Sequence, residues 1–373
     1  MSEIKGWCPG AYTPMRSGDG LIVRVRPKMG RISRDQALGL CAAARGLGSG
    51  VIDLTNRANL QLRGVPDAGH QPLLGQLLDL GLLDPDPETE QRRNVMITPF
   101  CEPGDLSTRI AEELVHRLQA LPPLPAKFGF AIDCGDAPVL ARDPADIRFE
   151  RASDGALLIR ADGADWGRFV APDDAVDAAI MLAYWFAQNR TAEARRMRAL
   201  ADRLPDVWQQ EMSAPPAPPA APGPRADGFL LGVAFGSMTE AALRGLLDQT
   251  GAQEIVLTPW RMMLLPGVTE ARRPGFVTAP GGRLLATHAC PGAPGCASAT
   301  VQTRALAMAL AARTNGSLHV SGCAKGCALP RTADVTLVGR DGAFDLVRAG
   351  ASWDEPARRG LSPDDLMTGR ETL

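Results

Sequence analysis

A segment of fifteen residues occurs twice in the chain, in diverged form. Val51 to Val65 (VIDLTNRANLQLRGV) aligns without gaps with Glu254 to Val268 (EIVLTPWRMMLLPGV), and six of the fifteen positions are identical. Each copy follows a strand-like stretch, DGLIVRV from Asp19 or DGFLLGV from Asp227, and a helical stretch. Chance can produce one short similarity, but the same order in both halves favours an internal duplication of a strand–helix–strand unit.

A second pair of similar segments follows in the same order. Leu124 to Phe149 contains LPAKFGFAIDCG and ADIRF, and Gly316 to Leu337 contains GSLHVSGCAKGC and ADVTL. A chain of 373 residues is also too long for a single core. We therefore predict an α+β fold of two similar halves, each with a small α+β subdomain and a second α/β subdomain.

A segment rich in proline and alanine, Ser213 to Asp227 (SAPPAPPAAPGPRAD), separates the two halves. Its composition predicts neither helix nor strand, and we interpret it as a semi-rigid linker. The predicted boundaries of the first half-domain, the first subdomain, the linker, the second half-domain and the second subdomain are 1–75, 85–212, 213–226, 227–275 and 280–373.

Charge and hydropathy exclude several classes of protein. The net charge of −2 gives no broad basic field for nucleic acid. The start of the chain, MSEIKGWCPG, lacks the pattern of a signal or transit peptide. The longest apolar stretch, Ala178 to Ala187, is about half as long as a membrane helix. We expect a cytoplasmic protein that binds neither nucleic acid nor membrane, and in the cytoplasm paired thiols hold metal more often than they form disulfides.

Polar positions alternate along the first copy of the duplicated segment. Read as one strand of period two, Ile52 to Arg63 has a face composed of Asp53, Thr55, Arg57, Asn59, Gln61 and Arg63. The aligned positions of the second copy are mostly apolar: Val256, Thr258, Trp260, Met262, Leu264 and Pro266. A solvated sheet face is the plain alternative, but the contrast between two copies of one scaffold favours an anionic ligand on the first.

Further basic residues in the first half support such a ligand. Arg24 and Arg26 share a face of the neighbouring strand LIVRVRP, and Arg92, Arg93 and Lys127 add positive charge. A surface of arginine, asparagine and glutamine suits several carboxylates better than one phosphate. No dinucleotide site is predicted, because the glycine-rich stretch GLGSG leads into a strand rather than out of one.

Four of the eight cysteines form two close pairs. The motifs CPGAPGC and CAKGC give a Cys-x5-Cys and a Cys-x3-Cys pattern of Cys290, Cys296, Cys323 and Cys327, the thiolate complement of a [4Fe–4S] cluster. Zinc is the main alternative, but its structural sites prefer knuckles, and neither pair is a good knuckle. Buried structural thiols are the other alternative, and we assign that role to Cys8, Cys41, Cys101 and Cys134.

The residues around these cysteines fit a cluster. Pro291 and Pro294 keep the first pair out of a helix. Glycines allow backbone N–H groups to approach the sulfur atoms, and they stand at Gly292, Gly295, Gly322 and Gly326. The stretch ASATVQTRALAMALAAR is predicted as a helix that begins directly after Cys296, which would place the Cys296 thiolate at a positive helix end.

The cysteine pattern, the duplicated halves and the stretch LTNRANLQL resemble the sulfite and nitrite reductase superfamily. That resemblance implies an internally duplicated fold of two ferredoxin-like half-domains and two α/β cluster-type subdomains, with the cluster beside a sirohaem. The N-terminal run Cys8 to Pro27 (CPGAYTPMRSGDGLIVRVRP) resembles the precorrin-3B synthase family of aerobic cobalamin biosynthesis. The resemblance covers nearly the whole chain.

The resemblance implies roles for individual residues. The four paired cysteines match the cluster ligands, and Arg26 matches an arginine that faces the substrate anion. The substrate-binding residues that it implies are Arg26, Arg57, Asn59, Gln61, Arg93 and Lys127. Gly129 stands where the reductases have a second lysine, so the positive charge that handles sulfite or nitrite is reduced. No residue is assigned as catalytic.

The resemblance also implies an activity. It indicates a monooxygenase that binds precorrin-3A, a polycarboxylate macrocycle, in the place of sirohaem. O2 would hydroxylate C20 while a γ-lactone closes from the ring A acetate, with a [4Fe–4S] cluster delivering electrons and an additional mononuclear non-haem iron. NADH would supply electrons through a separate electron-donor protein. The four histidines show no spacing typical of iron ligands: His70, His116, His288 and His319.

Two alternative functions stay open. The chain could be a sirohaem-dependent sulfite or nitrite reductase. It could also be a non-catalytic electron carrier or tetrapyrrole-binding protein that holds a cluster. The complete polar face argues against a carrier, because electron transfer alone needs no such pocket.

Overall fold

The structure is a computed structural model that describes residues 9–368, so the assignment of Cys8 lies outside the described residues. The first quarter of the chain forms β1 (Met15–Ser17), β2 (Gly20–Val25), β3 (Arg31–Ser33), α1 (Arg34–Leu47), β4 (Val51–Leu54), β5 (Leu60–Val65) and α2 (His70–Asp79). The next part forms α3 (Pro87–Arg92), β6 (Val95–Ile97), α4 (Leu106–His116), β7 (Phe130–Ile132), β8 (Ile147–Arg151), β9 (Leu157–Ala161), β10 (Trp166–Phe169), α5 (Ala175–Asn189) and β11 (Glu211–Met212).

The second half repeats this order of elements. Its half-domain contains β12 (Gly223–Arg225), β13 (Gly228–Val233), β14 (Ser237–Thr239), α6 (Glu240–Thr250), β15 (Glu254–Leu257), β16 (Met262–Pro266) and β17 (Phe276–Val277). Its subdomain contains β18 (Thr287–Ala289), α7 (Arg304–Leu310), β19 (Leu318–Ser321), β20 (Ala333–Arg340), β21 (Ala343–Gly350), β22 (Arg358–Leu361) and α8 (Pro363–Thr368). None of the helices described between residues 9 and 368 has the length and apolar character needed to span a membrane.

The two half-domains exchange edge strands. The first sheet has the order β1-β2-β5-β4-β14, and the second has β12-β13-β16-β15-β3 with β17 beside β13. Ser237 of β14 lies opposite Asp53 in the first sheet, and Ser33 of β3 lies opposite Glu254 in the second. The last residues of the exchanged strands cap the helices alike, because the side chains of Ser33 and Thr239 accept backbone N–H bonds from the first turns of α1 and α6.

The exchange joins the half-domains through one apolar core. Leu40 of α1, Leu54 of β4, Leu246 of α6 and Leu257 of β15 all lie in this core. Full burial of each leucine side chain contributes about 1.5–3 kcal/mol. Neither half-domain has a complete sheet or a separate core without the other, so the two copies stabilise each other.

The segment interpreted as a linker is anchored to the rest of the molecule. Its last part forms β12, which pairs with β13, so the prediction that it contains no strand is wrong there. The Ala217 N–H donates a backbone hydrogen bond to the Pro138 carbonyl at 3.0 Å. The guanidinium of Arg225 lies 3.8 Å from the centre of the Phe100 ring. Pairing with an existing strand compensates for the poor strand propensity of this composition.

Ile52 to Arg63 is a hairpin rather than the single strand that was predicted. β4 and β5 pair antiparallel, and the side-chain oxygen of Thr55 accepts backbone bonds from Arg57 at 3.3 Å and Asn59 at 3.2 Å. The period-two pattern continues through this turn and conceals it. The polar face persists because Asp53 and Gln61 are cross-strand partners and share one face of the sheet.

The two subdomains have similar sheets. β6, β7 and β8 run parallel, and the sheet then continues antiparallel through β9, β10 and β11. β18, β19 and β20 also run parallel, and β21 and β22 continue antiparallel. Because parallel strands end at the same edge of a sheet, the loops after β18 and β19 lie together. These loops carry the two cysteine pairs.

Candidate functional site

The four paired cysteines converge at the end of the second subdomain sheet. Cys290 directly follows β18, and Cys323 lies two residues after β19. Loss of surrounding water is the main reason that the pKa of Cys327 is raised, and the Cys323, Cys290 and Cys296 thiols raise it further. A mutual electrostatic effect of this kind requires the thiols to be near one another. Cys290 is buried, whereas Cys327 is exposed at the surface.

Glycines beside the cysteines fit a sulfur-rich ligand. The Gly322 N–H donates a hydrogen bond to Sγ of Cys290 at 3.1 Å. A Cβ atom on Gly322 would lie 2.7 Å from Cβ of Ala299, and one on Gly292 would lie 2.7 Å from the Thr303 hydroxyl oxygen. Gly292 also has a φ of 66°, which disfavours other residues. Backbone N–H bonds to sulfur are a feature by which proteins tune iron–sulfur clusters.

The four cysteines have the number and type of donors that a [4Fe–4S] cluster uses. Among residues 9–368, no three His, Cys, Asp or Glu side chains are grouped so that they could bind one metal ion together. In a [4Fe–4S] cluster each cysteine binds a different iron, so its ligands stand farther apart than those of one ion. The four neighbouring thiols, with the backbone N–H bond to Cys290, would be the ligands of such a cluster.

The predicted helix directly after Cys296 is wrong. α7 begins only at Arg304, and the residues between are irregular. The Thr303 hydroxyl donates to the Cys290 carbonyl, and Ala293 donates a backbone bond to Val301 at 2.8 Å, so this loop folds back on itself. These bonds replace the helical ones that the composition predicts. The Cys296 thiol therefore does not lie at a helix N-terminus.

The polar residues of the first half-domain lie on the sheet face opposite its apolar core. Leu60 and Leu62 of β5 point into the core, so Gln61, between them, points to the other face. Gln61 is the cross-strand partner of Arg24 on one side and of Asp53 on the other. A row of polar side chains thus crosses three neighbouring strands.

One end of this polar face contacts the cysteine loop. Nη2 of Arg63 donates to the Gly295 carbonyl at 2.9 Å, and the Ser17 hydroxyl donates to the same oxygen at 2.7 Å. Arg304 of α7 donates to the Ser237 hydroxyl at 2.7 Å and to Asp53 at 3.3 Å. The polar face and the four thiols are therefore neighbouring parts of one interface.

The other end of the polar face contacts the first subdomain. Nη1 of Arg26 donates to Oε1 of Glu90 at 3.0 Å, and Nη2 of Arg93 donates to Oε2 at 2.7 Å. Nε of Arg93 also donates to Asp84 at 2.6 Å. Arg26, Arg93 and Asn59 line a cavity of about 40 Å3. Both arginines thus bind carboxylates of the protein itself, and these carboxylates are not among the predicted site residues.

Arg57 and Lys127 meet beside Gly129. Nη2 of Arg57 donates to the Lys127 carbonyl at 3.0 Å, and the Lys127 residue is exposed. A Cβ atom on Gly129 would lie 2.8 Å from Nη1 of Arg57 and 2.6 Å from Nδ2 of Asn94. The Arg57 guanidinium therefore occupies the space that a side chain at position 129 would need. A lysine there would displace Arg57 instead of adding to the positive charge.

The structure divides the six expected substrate-binding residues into groups. The first group consists of Arg26, Asn59 and Arg93. The second group consists of Arg57 and Lys127. The Gln61 side chain lies between Arg24 of β2 and Asp53 of β4. The sequence analysis missed the carboxylates. The spacing of Glu90 and Arg93 on one helical face was the signal that could have revealed their pair.

Two histidines lie side by side in the second subdomain. His288 and His319 are cross-strand partners in β18 and β19. Burial lowers the pKa of His288 to about 3, helped by Arg261, and burial lowers the pKa of His319 to about 4. Both are therefore neutral at pH 7. Within the part of the chain that the structure describes, neither ring nitrogen of His319 has a hydrogen-bond partner.

Comparisons with known proteins agree on the family. The family described as the nitrite/sulfite reductase ferredoxin-like half domain matches residues 13–80. A relative from Sinorhizobium sp, named precorrin-3B synthase, is 31% identical over 395 aligned residues, which cover 94% of this chain and 84% of the relative. The chain belongs to the precorrin-3B synthase family.

A solved structure supports the fold. The Mycobacterium tuberculosis NirA protein superposes with a TM-score of 0.64 at 16% identity, over 93% of this chain and 79% of that chain. The predicted sulfite/nitrite reductase-like α+β fold is confirmed. Membership of the precorrin-3B synthase family supports an oxidoreductase of cobalamin biosynthesis that acts on a tetrapyrrole.

Proposed function

We propose that this enzyme hydroxylates precorrin-3A at C20 with O2 and closes the γ-lactone from the ring A acetate. The observation that carries the proposal is the contact between the polar face of the first half-domain and the cysteine loop. Arg63 and Ser17 both donate to Gly295, between two of the expected cluster ligands. A macrocycle on the polar face would therefore lie beside the source of electrons.

Several side chains suit a polycarboxylate macrocycle. Arg57, Gln61, Asn59 and the exposed Lys127 offer donors to acetate and propionate groups, and charge-assisted contacts with carboxylates are the strongest of this kind. Arg26 and Arg93 already have internal carboxylate partners, so they form the wall of the site and position it. The residues nearest the reacting carbon are not assigned.

The residues also fit the expected cofactor. Cys290, Cys296, Cys323 and Cys327 would hold a [4Fe–4S] cluster, which supplies single electrons when bound. Because Cys327 is exposed, an external electron-donor protein, itself reduced by NADH, would have access to this edge of the site. We assign no ligands to the mononuclear iron that the family resemblance implies.

The sirohaem-dependent reduction of sulfite or nitrite is the alternative, and the NirA-like fold favours it. Two observations argue against it. The charges of Arg26 and Arg93 are balanced by Glu90 and Asp84, and the Arg57 guanidinium occupies the space beside Gly129. A non-catalytic carrier is disfavoured by the polar face itself, since electron transfer needs no row of donors across three strands.

Incubation under 18O2 tests the proposal. The protein with its cluster, precorrin-3A and a reductant should give a product that contains one labelled oxygen, as measured by mass spectrometry. The visible spectrum should show the broad shoulder of a cluster without haem bands. An unlabelled product, or rapid six-electron reduction of sulfite by the unmodified protein, would show that the reductase alternative is correct.

A further inference from the structure

Glu90 lies between the two arginines that the family resemblance assigns to anion binding. The residue is 1% exposed, although it is charged. Its Oε1 accepts a bond from Arg26 at 3.0 Å, and its Oε2 accepts bonds from Arg93 at 2.7 Å and from the Asp84 N–H at 3.2 Å. Both oxygens of the carboxylate are therefore held in a fixed position.

The charges at this corner balance. Arg26 and Arg93 contribute two positive charges, and Glu90 and Asp84 contribute two negative charges. Removing one partner of such a buried network leaves an uncompensated charge, which is much more costly than the pair itself. An external anion would find no net positive charge here while Glu90 is in place.

The corner is nevertheless next to open space. A cavity of about 450 Å3 is lined by Arg26, Glu90, Gln91 and the Tyr12 segment. Nε of Arg26 is buried and has no hydrogen-bond partner among residues 9–368. A small solute in the cavity could therefore reach the guanidinium of Arg26 if the carboxylate did not occupy it.

We propose that Glu90 determines specificity by acting as an internal anion. Its carboxylate occupies the oxyanion position between Arg26 and Arg93 and so excludes free sulfite, nitrite and similar anions from the site. An anion that is part of the chain has a much higher effective concentration than one in solution. This role of Glu90 rests on the proposed function only for the identity of the substrate that binds in place of a free anion.

Chemical rescue of Glu90→Ala tests this inference. The variant removes the carboxylate, so its thermal unfolding midpoint should fall. Sodium nitrite, compared with sodium chloride at equal ionic strength, should restore it, because a ligand that binds only the folded state stabilises that state. Calorimetry should show nitrite binding at least about ten-fold tighter than to the wild type, the factor of one charge-assisted contact.

Glu88→Ala is the matched control. Glu88 lies on the same helix, pairs with Arg92 and has a side chain that is 62% exposed, so nitrite should not affect this variant. Glu90→Ser also removes the carboxylate and leaves space for an anion, so it provides a second test if Glu90→Ala does not fold; it too should bind nitrite more tightly than the wild type.

Two results would overturn the inference: wild-type protein that binds nitrite as tightly as Glu90→Ala and Glu90→Ser, or equal rescue of the Glu88 and Glu90 variants. These outcomes are independent of oxygen incorporation. If the 18O label is absent but nitrite still distinguishes Glu90→Ala from the wild type, the proposed reaction is wrong and the role of Glu90 as an internal anion remains.

Discussion

The two half-domains use the same hairpin turn and bury the equivalent face in the shared core, but only the second copy also buries the opposite face. In both turns a threonine accepts a bond from the backbone N–H two residues later, at Thr55 and at Thr258. Ala58 and Arg261 then have similar positive φ angles, 51° and 57°. The backbone of the duplicated unit is thus retained, and the differences between the copies lie in their side chains.

The second copy uses its face for stability. Val256, Met262 and Leu264 form an apolar cluster, against which Trp260 packs. The Trp260 indole N–H also donates to Asp143 of the first subdomain at 2.9 Å. The first copy has Asp53 and Gln61 at the positions of Val256 and Leu264. The second copy buries this face in apolar contacts, whereas the first copy keeps it polar beside the cysteine loop.

Loss of the cluster is the largest expected effect, and it distinguishes the role of the second subdomain from that of the first. Cys323 follows β19 and is one of the four expected cluster ligands, so the iron–sulfur absorbance should disappear in Cys323→Ser. Cys134→Ser is the matched control, because Cys134 follows β7 in the same way and burial raises the pKa of its thiol to about 12. Four irons and four sulfides per chain in the Cys323 variant would contradict the cluster assignment.

Exchange of side chains between the copies should affect stability in only one of them. Leu264→Gln places an amide in the apolar cluster, and we expect the free energy of unfolding to fall by about 3 kcal/mol or more. Gln61→Leu should change it by less than about 1 kcal/mol. Urea denaturation measures both. Equal losses would show that the two faces have the same structural role.

Substrate affinity should respond to substitutions in the first copy and not to those in the second. Arg57→Ala removes a charge-assisted contact, so precorrin-3A should bind roughly ten-fold more weakly while the cluster spectrum is unchanged. Trp260→Phe, at the aligned position, removes the bond to Asp143 and should lower stability without changing affinity. Equilibrium titration measures the binding. Unchanged affinity in the Arg57 variant would show that the polar face does not contact the substrate.

The duplication and the cysteine pattern were sufficient to predict the fold, because both reflect constraints that are local in sequence. The exchange of β3 and β14 was not predictable from the pattern, since each strand pairs with a strand of the other half that is distant in sequence: β3 pairs with β15, and β14 pairs with β4. The hairpin within Ile52 to Arg63 was missed because an alternating pattern continues through a tight turn that a threonine side chain stabilises.

The composition of the candidate site was predictable, but its charge balance was not. Counting Arg26 and Arg93 as free positive charges ignored Glu90 and Asp84, whose proximity depends on how the first subdomain packs on the sheet. The position of Arg57 at Gly129 is a tertiary contact of the same kind. Pairing between distant segments decides which charges remain available to a ligand.

The smallest expected effect is a pH dependence at the contact between the second half-domain and the first subdomain. Burial raises the pKa of Asp143 to about 6, while the Trp260 bond and Arg148 oppose the rise. The unfolded carboxyl has a pKa near about 3.9, so the folded state binds the proton more tightly. This contribution to stability is complete below about pH 4 and is lost as the pH rises through about 6.

Asp143→Asn removes that titration, and its amide can still accept the Trp260 bond. The free energy of unfolding of the wild type should therefore fall relative to the variant between about pH 4 and 7, by on the order of 1–2 kcal/mol, since Asp143 is only half-buried and water screens part of the effect. Asp133, whose pKa burial also raises to about 6, titrates in both proteins and cancels in the difference. If the difference in free energy of unfolding between the wild type and Asp143→Asn, measured by urea denaturation, stays constant across this range, Asp143 remains ionised in the folded state. The contact between Trp260 and Asp143 would then not depend on protonation of the carboxylate.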